Sequence, residues 1–216
     1  NNIDGFRIKT STLKEGGGYD LALRYNIGID NYDHYIGRAS QTVSVDIQEC
    51  INRLTLLSIN KDLRLEMSSN AKKRAEEFSW YKIIGMYEEL KIELDKKRMK
   101  SLDNEDIFYP PISIQDPHTL FNDYPSLKVT PDIQVEVSSN NSVSIDDFYS
   151  YPSISYLNDI APPLEKIKDV YAYINNVNTC LVSDIINSRE GYNNDVFKII
   201  LWLSKYGYLN IKEKND

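Results

Sequence analysis

Three stretches of the first hundred residues carry apolar side chains three and four positions apart, the repeat of an amphipathic helix. Ile47, Cys50, Ile51, Leu54 and Leu57 form the first face, opened by Asp46 with Glu49 three residues on in the manner of a capping box. Leu63, Met67, Ala71 and Ala75 form the second, after Asn60. Ile83, Ile84, Tyr87, Leu90 and Leu94 form the third, after Ser79, a good N-cap. Ahead of them, Gly5-Phe6-Arg7-Ile8 alternates and predicts a short strand. Gly16-Gly17-Gly18 predicts a flexible loop, because three glycines resist any regular state.

The helical period returns near the C-terminus. Leu164, Ile167, Tyr171 and Ile174 predict a helix entered through Pro162-Pro163. Leu181, Ile185 and Ile186 predict a short second helix. Val196, Phe197, Ile200, Leu201 and Ser204 predict a third that ends at Tyr206-Gly207, a good C′ glycine. Tyr208–Lys212 reads as a strand. Between these regions, Asp116–Phe121 suggests a short helix, and Leu127–Val129 and Ile133–Val137 suggest strands. Ser138–Tyr156, rich in Ser, Asn, Asp and Tyr, suggests a mobile linker that docks in part on its neighbours.

Charge divides the chain in the same places. Residues 1–100 carry a net charge of +2, residues 101–160 carry −9 and residues 161–216 are balanced. None of the eight prolines precedes Pro110. The expected organisation is therefore three segments: 1–100, an acidic Pro/Ser/Tyr-rich connector over 101–160, and 161–216. The fold class is mainly α with short strands, an α/β remnant. A net charge of −7 disfavours non-specific nucleic-acid binding. No apolar run approaches the roughly 20 residues that span a bilayer, and no basic-then-apolar signal opens the chain. Two distant cysteines, Cys50 and Cys180, give no disulfide framework, so a reducing cytoplasm is the expected location.

Asp4-Gly5-Phe6-Arg7-Ile8 is followed in order by Val45-Asp46, Asn60-Lys61-Asp62-Leu63-Arg64-Leu65-Glu66-Met67, Ala71, Arg74-Ala75, Phe78-Ser79-Trp80 and Tyr87-Glu88. Over about Asn2 to Lys97 this order resembles the C-terminal end of retaining glycosyltransferases of family 4, the group 1 type. The stretch from Asp20-Leu21-Ala22 through Tyr35-Ile36-Gly37 resembles an insertion of a bacterial subgroup of that family. The resemblance implies a GT-B architecture of two Rossmann-like domains, with a nucleotide-sugar donor held mainly by the C-terminal one. The family's donor-site motif, E-G-F-G-x-x-x-x-E-A-M-A, lies upstream of the Asp-Gly-Phe strand and does not occur in this sequence, nor does the acceptor-binding N-terminal domain. The resemblance thus implies a C-terminal fragment, inactive alone, whose natural partner is the N-terminal glycosyltransferase region. It assigns no catalytic, donor-binding or metal-binding residue here and no cofactor of the chain's own. Its residues are scaffold: Gly5 and Phe6 place the loop after the donor site, and Trp80 anchors the last helix where it crosses toward the N-terminal domain.

Three helices followed by a strand is the skeleton of a winged-helix domain. Leu201-Trp202-Leu203-Ser204-Lys205-Tyr206-Gly207-Tyr208-Leu209 resembles the ending of such extensions on bacterial glycosyltransferases. Winged helices often bind DNA through their last helix, but here it offers only Lys198 and Lys205. A protein partner, or simple packing, is the expected use, and a non-catalytic interaction module is the rival reading of the whole chain. The run Lys96, Lys97, Arg98, Lys100 reads as a solvated helix end offsetting the helix dipole. Its sharper reading is peripheral contact with an anionic membrane surface. Asp30, Asp33 and His34 could form an acid–base group or cap a surface helix. His34 and His118, the only histidines, lie far from either cysteine and lack the ligand spacing of a zinc site.

Overall fold

A computed structural model describes residues 2–102, 114–139, 141–155, 160–189 and 191–213. The elements in chain order are β1 (Thr10–Leu13), α1 (Tyr19–Asn26), α2 (Tyr32–Gln41), β2 (Val43–Val45), α3 (Ile47–Ile59), α4 (Lys61–Ala75), α5 (Trp80–Leu102), α6 (Pro117–Leu120), β3 (Leu127–Val129), β4 (Gln134–Val137), α7 (Ile145–Tyr149), α8 (Pro152–Ser155), α9 (Leu164–Val177), β5 (Thr179–Leu181), α10 (Val182–Ser188), α11 (Asn193–Lys205) and β6 (Leu209–Lys212). The fold is mainly helical with short strands, as the periodicity predicts. The strand expected at Gly5–Ile8 instead begins at Thr10, where hydrogen-bonding partners exist on both sides.

The chain divides into two units, and the division is not the one that composition suggests. Asn1–Arg7 joins Cys50–Pro111, while Ile8–Glu49 joins Ile112–Asp216. Residues 8–49 thus leave the first compositional segment and fold with what lies beyond residue 111.

The first unit holds α4, α5 and most of α3. Asp46 Oδ1 accepts from Glu49 N at 2.8 Å to open α3. Asp46 N, the donor that the second half of a capping box would engage, donates to Lys9 O at 2.9 Å, and Glu49 Oε2 accepts from Lys9 N at 2.8 Å. Among the described residues of this unit only Met67 is buried. Leu54, Phe78, Trp80, Ile84 and Leu94 are all exposed.

The second unit carries two small sheets. In one, central β1 pairs antiparallel with β2 and parallel with β3, with Ser11 opposite Ser44 and Leu127. In the other, central β4 is antiparallel to both β5 and β6, with Val135 opposite Cys180 and Ile211. β4 therefore enters the sheet from upstream of the three C-terminal helices. The axis of the core is α11, whose run Ile199-Ile200-Leu201-Trp202-Leu203 is fully buried. A helix apolar on every side must be covered on every side. Here α9, α10 and β6 pack on it together with α2, β1 and β2. Its end is a Schellman motif: Gly207 has φ 79°, Gly207 N donates to Ser204 O at 3.1 Å, and Tyr208 N donates to Leu203 O at 2.9 Å. The segment expected to be a mobile linker contains α7 and α8. Ser144 caps α7, Ile145 is buried, and Phe148 and Tyr149 pack on the core, because their rings find Trp202, 5.9 and 6.1 Å away between centroids.

Candidate functional site

Several residues singled out in the first unit by the sequence make contacts within that unit. Asn60 Oδ1 accepts from Leu63 N at 3.0 Å and caps α4. Arg64 donates to Leu57 O and to Ser58 O, two carbonyls at the end of α3 that no longer have helical partners. Asn70 Nδ2 donates to Ile3 O at 3.0 Å. Arg74 Nη1 donates to Asp4 Oδ2 at 2.7 Å, and that hydrogen bond holds the Asp4 carboxyl below the usual range. The Arg53 guanidinium lies 4.8 Å from the centre of the Phe6 ring. Gly5 faces open space. Trp80 is 79% exposed. Among the described residues Trp80 is thus not part of a core.

In the second unit, polar groups are concentrated around Asp116-Pro117-His118-Thr119, within the segment that the sequence reads as a short helix. The Asp116 carboxylate is the N-cap of α6, accepting from His118 N and Thr119 N. The same carboxylate enters the glycine loop. Oδ2 accepts from Gly16 N at 2.8 Å and Oδ1 from Gly18 N at 3.0 Å, and the Thr119 hydroxyl adds a bond of 2.6 Å. Burial pushes this carboxyl up, and the hydrogen bonds from Thr119, His118 and Gly16 outweigh it, so it lies below the usual carboxylate range. The glycine loop is thus wrapped around an internal anion. Glycine is required at residue 18, where a Cβ would stand 2.5 Å from Asp116 Oδ1.

His118 is buried between two threonines. Nδ1 lies 2.8 Å from Thr12 Oγ1 and Nε2 lies 3.0 Å from Thr42 Oγ1. Each hydroxyl also has a backbone carbonyl within reach, Thr42 Oγ1 donating to Ala39 O at 2.7 Å and Thr12 Oγ1 to Thr42 O at 3.1 Å, so the two threonines tie the ring to the backbone on both sides. Burial pushes the imidazole below its ordinary value, with Asp116 acting the other way. Both ring nitrogens are occupied, so His118 is a structural group.

Asp30 and His34 are not brought together as an acid–base group. Asp30 accepts two hydrogen bonds from Arg24, at 2.7 and 2.8 Å, and one from Arg38 at 3.1 Å. His34 Nδ1 lies 2.7 Å from Asn31 Oδ1, the atom that caps α2. The Arg24 hydrogen bond lowers the Asp30 carboxyl, burial opposes it, and Arg38 adds to the lowering. The Asp30 carboxylate is bound as an anion and holds no proton to give near neutral pH. The signal that could have found this cluster is Arg24, Asp30 and Arg38 bracketing the α1–α2 turn.

On α11, Lys198 Nζ pairs with Asp20 at 2.6 Å and Lys205 Nζ donates to Ser40 O at 2.6 Å. On α5, Lys97 pairs with Glu93 and Arg98 with Asp95 along the same helix. Burial pushes the Cys180 thiol up to about 11, which leaves it protonated and a poor nucleophile. Among the described residues no cluster of His, Cys, Asp and Glu could hold a metal ion, and no helix is long and apolar enough to cross a membrane. No family model, curated protein or solved structure matches the chain.

Proposed function

We propose that the chain is the C-terminal part of a retaining, family-4-like GT-B glycosyltransferase with a winged-helix-like extension. The parent enzyme would move a sugar from a nucleotide-sugar to a glycan or lipid-linked acceptor. The residues of this chain serve as scaffold, and the donor-site carboxylates come from upstream. The observation that supports the reading is that residues behind the resemblance are engaged within the first unit: Arg74 on Asp4, Asn60 capping α4, and Arg64 on the last carbonyls of α3. Gly5 and Phe6 stand beside Asp4 in that turn, and exposed Trp80 is left to the N-terminal glycosyltransferase region.

The order α9, β5, α10, α11, β6 supports the winged-helix-like part of the reading, with β4 lying between β5 and β6 in the sheet. The third of these helices is buried, and both of its lysines are engaged within the unit. This favours packing or contact with a protein over reading a nucleic-acid groove. The second reading is a non-catalytic module that recruits a protein.

The deciding experiment is to sequence the genomic DNA upstream of the codon for Asn1, express the longer frame and assay nucleotide release from nucleotide-sugar donors. An in-frame donor-site motif and donor-dependent turnover are expected. A stop codon and ribosome-binding site immediately upstream would overturn the enzyme reading in favour of the recruiting module.

A further inference from the structure

We infer that the glycine loop, with Thr12 and Thr42, is a built receptor for Asp116–Thr119, and that this latch sets the register in which residues 112–216 join residues 8–49. The inference does not rest on the glycosyltransferase reading. Asp116 and Gly18 are 98 residues apart in sequence, and the chain between them leaves the second unit at Glu49 and returns at Ile112. On its return it must find a place beside β1.

What awaits it there is a weak guide. β3 pairs with β1 over only three residues and in parallel, the less stable arrangement per residue. A one-residue slip in such a pair would turn Leu127 and Val129 out of the core and Lys128 into it. Side-chain burial penalises that slip only after the segment has docked. The latch fixes position before the strand begins. Asp116 binds the two loop amides that follow β1, and His118 bonds Thr12 on β1 and Thr42 beside β2. Flanking it, Asn26 exchanges two hydrogen bonds with the backbone of Ile114, and the Tyr35 hydroxyl donates to Gln115 O. Ser126 N then donates to Thr10 O at 2.9 Å, continuing the chain directly into the β1–β3 pair.

An isolated aspartate at a helix cap would explain the bonds to His118 N and Thr119 N. It would not explain a carboxylate shared with a loop a hundred residues away, or a loop whose third glycine leaves no room for a Cβ. Conversely, the glycine loop has no other anion among the described residues to order it. Each half explains the otherwise unexplained composition of the other.

The test is residue-resolved amide hydrogen exchange by NMR on the full chain, as wild type and as Asp116→Ala and Asp116→Asn. In the wild type, the Gly16 and Gly18 amides are expected to be protected although they lie in a loop. In Asp116→Ala, exchange at Gly16, Gly18 and the β1–β3 amides should accelerate at least about tenfold, the effect of losing hydrogen bonds to a charged acceptor, while Ile199–Leu203 stays protected. Asn keeps one acceptor oxygen, so Asp116→Asn should expose one of the two loop amides and spare the other. Should Asp116→Ala fail to fold, the wild-type protection and the Asp116→Asn pattern decide. Loop amides that exchange at unstructured rates in the wild type would overturn the receptor. Acceleration confined to the loop, with β1–β3 unchanged, would overturn its role in register.

Discussion

The two tryptophans of this chain predict opposite outcomes for the same substitution. Trp202 is fully buried, with ring centroids of Tyr206, Phe148, Tyr149 and Tyr208 at 4.8, 5.9, 6.1 and 6.3 Å. A tryptophan side chain buries roughly 200 Å², which at about 25 cal/mol per Å² gives an upper bound of about 5 kcal/mol. Truncations of this kind cost about 3–5 kcal/mol once the cavity is included. One term runs the other way. Trp202 Nε1 is buried without a hydrogen-bond partner among the described residues, and removing such a group returns on the order of 1 kcal/mol. Trp202→Ala should therefore lose about 3 kcal/mol. Trp80, 79% exposed, has about a fifth of that area to lose, so Trp80→Ala should cost less than about 1 kcal/mol.

Urea unfolding followed by far-UV circular dichroism measures the difference. At a slope of about 2 kcal/mol per molar urea, Trp202→Ala lowers the midpoint of the second unit's transition by about 1.5 M, whereas Trp80→Ala barely moves its own. Each variant retains one tryptophan, so iodide quenching checks burial independently. Quenching should be strong in Trp202→Ala, where Trp80 remains, and weak in Trp80→Ala. Equal midpoint losses, or a Trp202 as open to iodide as Trp80, would refute the placement of α11 at the centre of the core.

Two further perturbations test the polar sites. Asp30→Ala should cost about 2 kcal/mol, less than the 3–5 kcal/mol of a fully buried pair because Arg24 is a third exposed. Since the folded-state carboxyl of Asp30 is lowered, its contribution is complete above the ordinary carboxylate value and is lost as pH falls through the lowered folded value. Asp30→Ala should accordingly flatten the acid limb of a stability–pH profile, and an unchanged limb would remove the ion cluster from the account. Gly18→Ala and Gly37→Ala form a matched pair. Both place a Cβ 2.5 Å from a neighbour, but at residue 37 that neighbour is the movable end of Ile160, and at residue 18 it is a carboxylate held by several bonds. Thermal melts should show a loss of about 1–3 kcal/mol for Gly18→Ala and well under 1 kcal/mol for Gly37→Ala. The reverse order would contradict the rigid latch.

Local signals in the sequence settled most of the long helices, while α1, α2, α7 and α8 were not among those it predicted. The apolar repeat placed α3, α4, α5, α9 and α11, and Asn60, Pro163 and Gly207 marked where three of them begin or end, because a helix satisfies its own backbone and declares its buried face within a few residues. The C-terminal strand and the short strands near residues 127 and 134 were visible for similar reasons. What pairs with what was not visible. A strand is completed by hydrogen bonds to residues anywhere in the chain, so nothing local to Thr10–Leu13 announces β3 as a neighbour, and nothing local to Gln134–Val137 announces that β4 will stand between β5 and β6. Composition placed residues 8–49 with the helices that follow them. The all-round apolar surface of α11 drew them into the other unit, since only tertiary contact can cover the sides of that helix that α9, α10 and β6 leave open. The glycine triplet and Asp116 each looked unremarkable alone, and their meaning arose when the fold set one against the other. The same holds for Trp80 and Trp202, identical in kind and both on helices: the sequence determined that each would sit on a helix, and the tertiary structure alone decided which one is buried, because burial belongs to the surface that meets the residue and not to the residue itself.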